Sequence, residues 1–262
     1  MTAKTITFGS LKGGAGKTKV STNVAAELSL RGHKVLIIDA DPQGTTTEDF
    51  GLDPAQGFSL AEILNPPFPP TPAPTLEQVI IPSPDLENLH VLPASYQELE
   101  AAEKTLTGAA GDFAFFKKII KPLADSYDYI IIDTPPRLGE LTRAAIFAAD
   151  YAVPVAGPTS TTFSGALSFA SQVISCNEDS PKPITIPFWV VANWVDGAEW
   201  REVAAAIAED DEITALEPAL PASKQASSAV LEYQVPVVAA APKAPFSKKV
   251  KALVDEMVTA GI

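Results

Sequence analysis

Ser10-Leu11-Lys12-Gly13-Gly14-Ala15-Gly16-Lys17-Thr18 stands between the β-branched and aromatic run Thr5 to Phe8 and a helix-like run from Lys17 to Arg31. A short strand, a glycine-rich turn and a helix, in that order, let backbone N–H groups converge on phosphate oxygens at the positive end of the helix. Gly13, Gly14, Ala15 and Gly16 are therefore expected to wrap the phosphates, Lys17 to reach the β and γ phosphates, and the Thr18 hydroxyl to ligate Mg²⁺. ATP and Mg²⁺ are the implied ligands. The strict pattern asks for glycine where Leu11 stands, and that departure calls for an explanation.

Outward from this loop the chain alternates. Val20, Val24 and Leu28 share one helical face with Arg31, Ala25 lies beside them, and Gly32 is placed to end the helix. Lys34 to Asp39 follows as a nearly continuous apolar run ending in an acid, the pattern of a parallel strand covered on both faces. Similar runs recur at Asn88 to Leu92, Tyr129 to Asp133, Tyr151 to Val155 and Ile186 to Ala192. Helix-like segments separate them at Ala94 to Leu106, Phe113 to Ala124, Leu141 to Ala149, Phe163 to Val173 and Trp200 to Ala208. This predicts an α/β fold: a doubly wound, mainly parallel twisted sheet of about seven or eight strands flanked by helices in three layers. Residues 1–262 are expected to form one domain, within which Pro66 to Pro74 is a stiff surface loop, its prolines forbidding helix and central strand.

Composition narrows the function classes. A hydrophobic content of 46% supplies a sizeable core, so wholesale disorder is not expected. No apolar stretch approaches the roughly 20 residues of a membrane span, and no secretion signal precedes the first strand, so a cytoplasmic protein is expected. Cys176, the single cysteine, excludes an internal disulfide or a cysteine-bridged cluster within one chain, and it suits a small buried apolar group. A net charge of −13 makes the molecule as a whole repel nucleic acid, so binding there requires a local basic patch.

Two further stretches carry acids at strand ends. Val35 to Asp39 continues into Ala40-Asp41-Pro42-Gln43-Gly44, putting two carboxylates on one side of an extended backbone. They suit metal and water positioning, and equally a strand cap followed by an Asp-Pro turn. Tyr129 to Asp133, continued by Thr134-Pro135-Pro136-Arg137, has the form of a Walker B element, with Asp133 expected to hold Mg²⁺ opposite Thr18.

KGGAGKT at residues 12–18, DADPQG at 39–44 and DTPP at 133–136 together resemble the deviant Walker A ATPases of the ParA/MinD family, most closely the ParA-type partition and cargo-positioning ATPases. The resemblance spans Ile6 to about Met257. It implies that Lys12 crosses a dimer interface to the partner's ATP, that Asp41 orients the attacking water, and that Asp39 assists through a metal-bound water. Lys12, Lys17 and Asp41 are thus the implied catalytic set, and Thr18, Asp39 and Asp133 the implied metal set. Lys19 stands where the family usually has a hydroxyl near the α-phosphate; Asn193 matches an adenine-reading position, and Pro221 lies in a loop loosely matching the base-adjacent one. Asn193 also suits a local turn.

The same resemblance implies an ATP-dependent homodimer that binds nonspecific nucleoid DNA and positions a plasmid, a chromosome region or a protein compartment such as a carboxysome. A ParB-like or analogous protein on the cargo would stimulate hydrolysis. Lys243, Lys248, Lys249 and Lys251, the densest basic cluster, are the implied DNA contacts; they also suit a solvated helix start. A MinD-like regulator that cycles on membranes is the alternative, since Val250, Leu253, Val254, Met257 and Val258 share one face. Asp255 and Glu256 interrupt that face and favour a helix packed on the core. A small-molecule ligase or kinase of the same superfamily is the third possibility, and it would leave Lys12 without a role.

Overall fold

The computed structural model describes residues 2–53, 55–65, 72–106, 113–157, 159–178, 182–187, 189–193, 220–221 and 234–262. Among these residues eight strands are formed: β1 (Lys4–Gly9), β2 (Val35–Asp39), β3 (Ile81–Pro82), β4 (Leu89–Leu92), β5 (Tyr129–Asp133), β6 (Tyr151–Ala156), β7 (Val190–Asn193) and β8 (Leu220–Pro221). They make one sheet in the order β3-β4-β2-β5-β1-β6-β7-β8. Every pairing is parallel except that of β3 with β4. The doubly wound, mainly parallel sheet expected from the apolar runs is therefore present.

Alternation of side chains along each strand divides the core between the two faces. Val35 and Ile37 of β2 join Ile6, Phe8, Tyr129, Ile131, Val153 and Val155 on one face. Leu36 and Ile38 join Ile130 and Ile132 on the other. The first face is covered by α1 (Lys17–Leu30) through Val20, Val24 and Leu28, by the short α9 (Val237–Ala240), and by α10 (Pro245–Thr259) through Val250, Leu253, Val254 and Met257. The second is covered by α5 (Tyr96–Leu106), α6 (Phe115–Ile120) and α7 (Glu140–Ala148). Phe169 and Val173 of α8 (Ser160–Glu178) pack with Ile146 and Ala152. Each fully buried side chain of this kind contributes about 1.5–3 kcal/mol, which is why strands with no polar face are stable only inside such a sandwich.

Several local details differ from expectation. The helix expected over Phe113 to Ala124 passes after Ile120 into a 3₁₀ turn over Lys121–Leu123, where Pro122 removes a backbone donor. The run Ile186 to Ala192 pairs as a named strand only from Val190, beyond Pro187. Val258 is 45% exposed and leaves the apolar face assigned to it. Short helices α2 (Thr45–Asp49), α3 (Leu60–Leu64) and α4 (Leu76–Val79) fill connections that the sequence pattern left blank. A capping box, Ser59 with Glu62, starts α3. The helix expected over Trp200 to Ala208 and most of the proline-rich stretch lie outside the described residues. No helix among the described residues is long and apolar enough to cross a membrane.

Candidate active site

Strands β1, β2 and β5 end together. Phe8 of β1 and Asp39 of β2 are both register partners of Asp133 on β5, so the two acids sit side by side where the loop leaves β1. Thr134 Oγ1 donates to the Phe8 carbonyl at 3.0 Å and ties the turn after β5 to the base of that loop. Gly14 (φ 79°) and Gly16 (φ 84°) take left-handed backbone, which makes glycine necessary at the two bends. Gly16 is the N-cap of α1, whose first N–H groups face the loop.

Leu11, where the strict pattern has glycine, packs against the cluster of Phe169 and Val173 on α8. Its N–H donates to the Gly165 carbonyl at 3.0 Å. The loop is thus seated on α8 by an apolar side chain instead of being left free. Gly9 lies so close to the Phe169 ring that a Cβ there would overlap it, and a Cβ on Gly165 would come within 2.7 Å of Lys12.

Asp133 is fully buried and gathers side chains from the start of α1 and from α2. Lys17 Nζ donates to its Oδ1 at 3.0 Å, Thr18 Oγ1 to its Oδ2 at 2.7 Å, and Thr46 Oγ1 to the same oxygen at 2.8 Å. Asp39, also fully buried, accepts from Thr47 N at 2.8 Å and Thr47 Oγ1 at 2.7 Å, and from Asp41 N at 3.2 Å. Burial, and after it the charge of Asp133, push the Asp39 carboxyl up to about 8, against the opposing Thr47 bonds. Asp41 accepts from Gln43 N at 3.0 Å, turning the chain toward Gly44 (φ 69°). Burial raises its pKa too, opposed by the charge of Lys17.

These donors fit Mg²⁺. Hard oxygens of Thr18, Asp133 and Thr46 converge on one point, while no group of three or more His, Cys, Asp or Glu side chains forms a closed cage among the described residues. A cation that keeps waters and shares phosphate oxygens suits such a half-built shell.

The remaining sequence-named residues are placed as follows. Lys12 is exposed on the loop. Lys19 forms an ion pair with the buried Asp49 of α2, which also accepts from Thr22 Oγ1 at 3.2 Å. Asn193 and Pro221 are register partners on β7 and β8, so the two segments proposed for the base do meet. Lys243 and Lys248 are exposed at the start of α10, with Lys249 and Lys251 partly covered. Sequence reasoning missed Thr46 and Thr47, although the hydroxyl run Thr45-Thr46-Thr47 directly follows Gly44. It also missed Glu103 of α5, a 7% exposed carboxylate paired with Arg137, for which no local signal exists.

A protein family described as an AAA domain matches residues 3–186. A ParA family protein of Chlamydia pneumoniae is 34% identical over 192 residues, covering 71% of this chain and 72% of that one. The chromosome-partitioning ATPase Soj of Treponema pallidum is 36% identical over 147 residues, covering 56% of this chain; the match spans only 54% of Soj. Among solved structures, a variant of Cyanothece McdA in complex with ATP superposes with a TM-score of 0.83 at 23% identity, covering 98% of this chain and 96% of that one, which shows a common fold. With the doubled-lysine loop seated on α8 and acids at the ends of β2 and β5, the chain belongs to the ParA/MinD family of P-loop ATPases.

Proposed function

We propose that the chain is a ParA-type ATPase whose ATP-bound dimer holds DNA without sequence preference and positions or segregates a cargo, an activating protein on the cargo stimulating hydrolysis. The observation that carries this reading is the convergence of Lys17, Thr18 and Thr46 on Asp133 beneath a glycine loop that leaves Lys12 exposed. Lys17 is 5% exposed and already aimed into the cradle. A solvent-facing Lys12 is free of that cluster and suited to meet the phosphates of a second copy, where two facing triphosphates would otherwise repel.

Thr18, Asp133 and Thr46 would hold Mg²⁺, with Asp39 behind them; when bound, the ion neutralises charge on the phosphate oxygens. Asp41 orients a water whose oxygen bonds to the γ-phosphorus as the bond to the β,γ-bridging oxygen breaks. The bridging oxygen keeps the electron pair, and the water's proton passes by way of Asp41 to solvent. Asn193 and Pro221 would flank the base, and Gly13, Gly14, Ala15 and Gly16 would present N–H groups to the phosphates.

For DNA, Lys243, Lys248, Lys249 and Lys251 would supply the cation patch. The apolar face of α10 is buried against α1 and the sheet, and Arg31 reinforces that seat through Asp255 at 2.7 Å and the Lys251 carbonyl at 2.9 Å. That apolar face is thus taken up by the core and not offered to a lipid surface, which favours DNA over a MinD-like membrane cycle.

The test is sizing chromatography with ATP and co-sedimentation with DNA or anionic vesicles. Lys12→Ala is expected to remain monomeric with ATP, and Asp41→Ala to stay dimeric with unhydrolysed nucleotide. Charge reversal at Lys243 and Lys248 should abolish DNA association while leaving dimerisation intact. Wild-type protein that is monomeric with ATP, or that sediments with vesicles and not with DNA, would refute the proposal.

A further inference from the structure

Arg137 follows Asp133-Thr134-Pro135-Pro136, the turn that leaves the end of β5, and its guanidinium is held by Glu103 of α5. Glu103 is nearly buried, with a side chain 9% exposed, whereas that of Arg137 is 50% exposed. A cleft of about 330 Å³ opens beside the pair, lined by Glu100, Glu103, Lys104, Arg137, Leu138 and Glu140, together with Gly139. The turn is shaped around the carboxylate, because a Cβ on Gly139 would collide with Glu103 Oε1.

Two features distinguish this pair from a permanent brace. First, Glu103 also accepts from Leu141 N at 3.3 Å, in the first turn of α7, so the helix N-terminus supports its charge when the guanidinium leaves. Removing a cation from a buried carboxylate is ordinarily costly; here part of that cost is already met. Second, Arg137 stands on the turn that leaves Asp133, the acid on which Lys17 and Thr18 converge, so its stem starts from the rim of the site while Glu103 holds its guanidinium.

We propose that the Glu103–Arg137 pair is a latch on turnover: Glu103 withholds Arg137, and on release the guanidinium swings to the Asp41 side of the site and stabilises charge on the γ-phosphate. This deepens the ATPase reading and rests on it. An arginine delivered to a transferring phosphoryl group accelerates the reaction by about 10³–10⁵, so withholding one in the same chain would hold hydrolysis below what the site can reach. A planar fork suits both the carboxylate it leaves and the phosphate it reaches.

Steady-state hydrolysis by the full-length chain tests this, with ATP varied so that kcat and KM separate. Glu103→Gln keeps the side-chain shape, weakens the latch and is expected to raise kcat about tenfold with KM nearly unchanged, a modest part of the range an arginine can supply. Gly139→Ala displaces the same carboxylate from the other side and should also raise kcat, which preserves the test if Glu103→Gln folds poorly. Arg137→Ala should lower kcat below wild type, Arg137→Lys should restore part of it, and the Glu103→Gln/Arg137→Ala double variant should match Arg137→Ala alone. A merely structural pair would instead lower activity in both single variants alongside a fall in melting temperature, and that result overturns the latch. Wild-type hydrolysis that is lost in Lys17→Ala but unchanged in Glu103→Gln and Gly139→Ala also overturns the latch while leaving the ATPase reading standing. A wild-type chain that hydrolyses no ATP overturns both.

Discussion

At the scale of single residues, the site is a problem in charge. Asp39 and Asp133 are neighbours across two parallel strands, both fully buried, and only Asp133 has a cation, Lys17, on its carboxylate. The Asp39 carboxyl, raised to about 8, therefore retains its proton in the folded chain at pH values where the unfolded chain has lost it. Because the native state then binds more protons than the unfolded state, stability falls as pH rises from about 4 toward about 8. Thermal melts of the nucleotide-free protein in chelator should show this decline, and Asp39→Asn should flatten it. A remainder is expected from Asp41 and Asp49, both raised by burial. Asp39, Asp41 and Asp133 were legible in the sequence because each terminates an apolar run or begins the turn after it. Thr46, Thr47 and Glu103 were not: hydroxyls carry no periodic signal, and Glu103 reaches the site only through the packing of α5 beside α7.

At the scale of elements, α8 acts as the bed of the phosphate loop. Leu11 explains the absent glycine of the strict pattern: a free bend is replaced by an apolar anchor on Phe169 and Val173. Gly165 is the closest point of approach, since a Cβ there would lie 2.7 Å from Lys12 Cγ and 2.9 Å from Lys12 N. With backbone as one of the obstructing atoms, Gly165→Ala cannot be relieved by a side-chain rotation alone. It should destabilise the fold by about 1–3 kcal/mol and shift Lys12, so ATP-dependent dimerisation measured by sizing should weaken more than nucleotide binding measured by calorimetry. Long apolar runs made most of the strands and α1 readable in advance. Elements of two to five residues such as β3, β8 and α2 are too short for periodicity, and tertiary pairing alone defines them.

At the scale of the whole molecule, α10 locks the C-terminal part of the chain against α1. Met257 is fully buried in the larger core cluster, and Met257→Ala is expected to cost about 2–5 kcal/mol in chemical denaturation, with the pairing of α10 and α1 lost before the centre of the sheet. Among the described residues the sheet ends the same way on both sides: the outermost strands, Ile81–Pro82 and Leu220–Pro221, are two residues long, and each finishes on a residue that has no backbone N–H to offer. Edges this short and proline-ended give another copy little ladder to extend, the route of edge-to-edge aggregation. Association through helices and loops would instead answer to whatever occupies them.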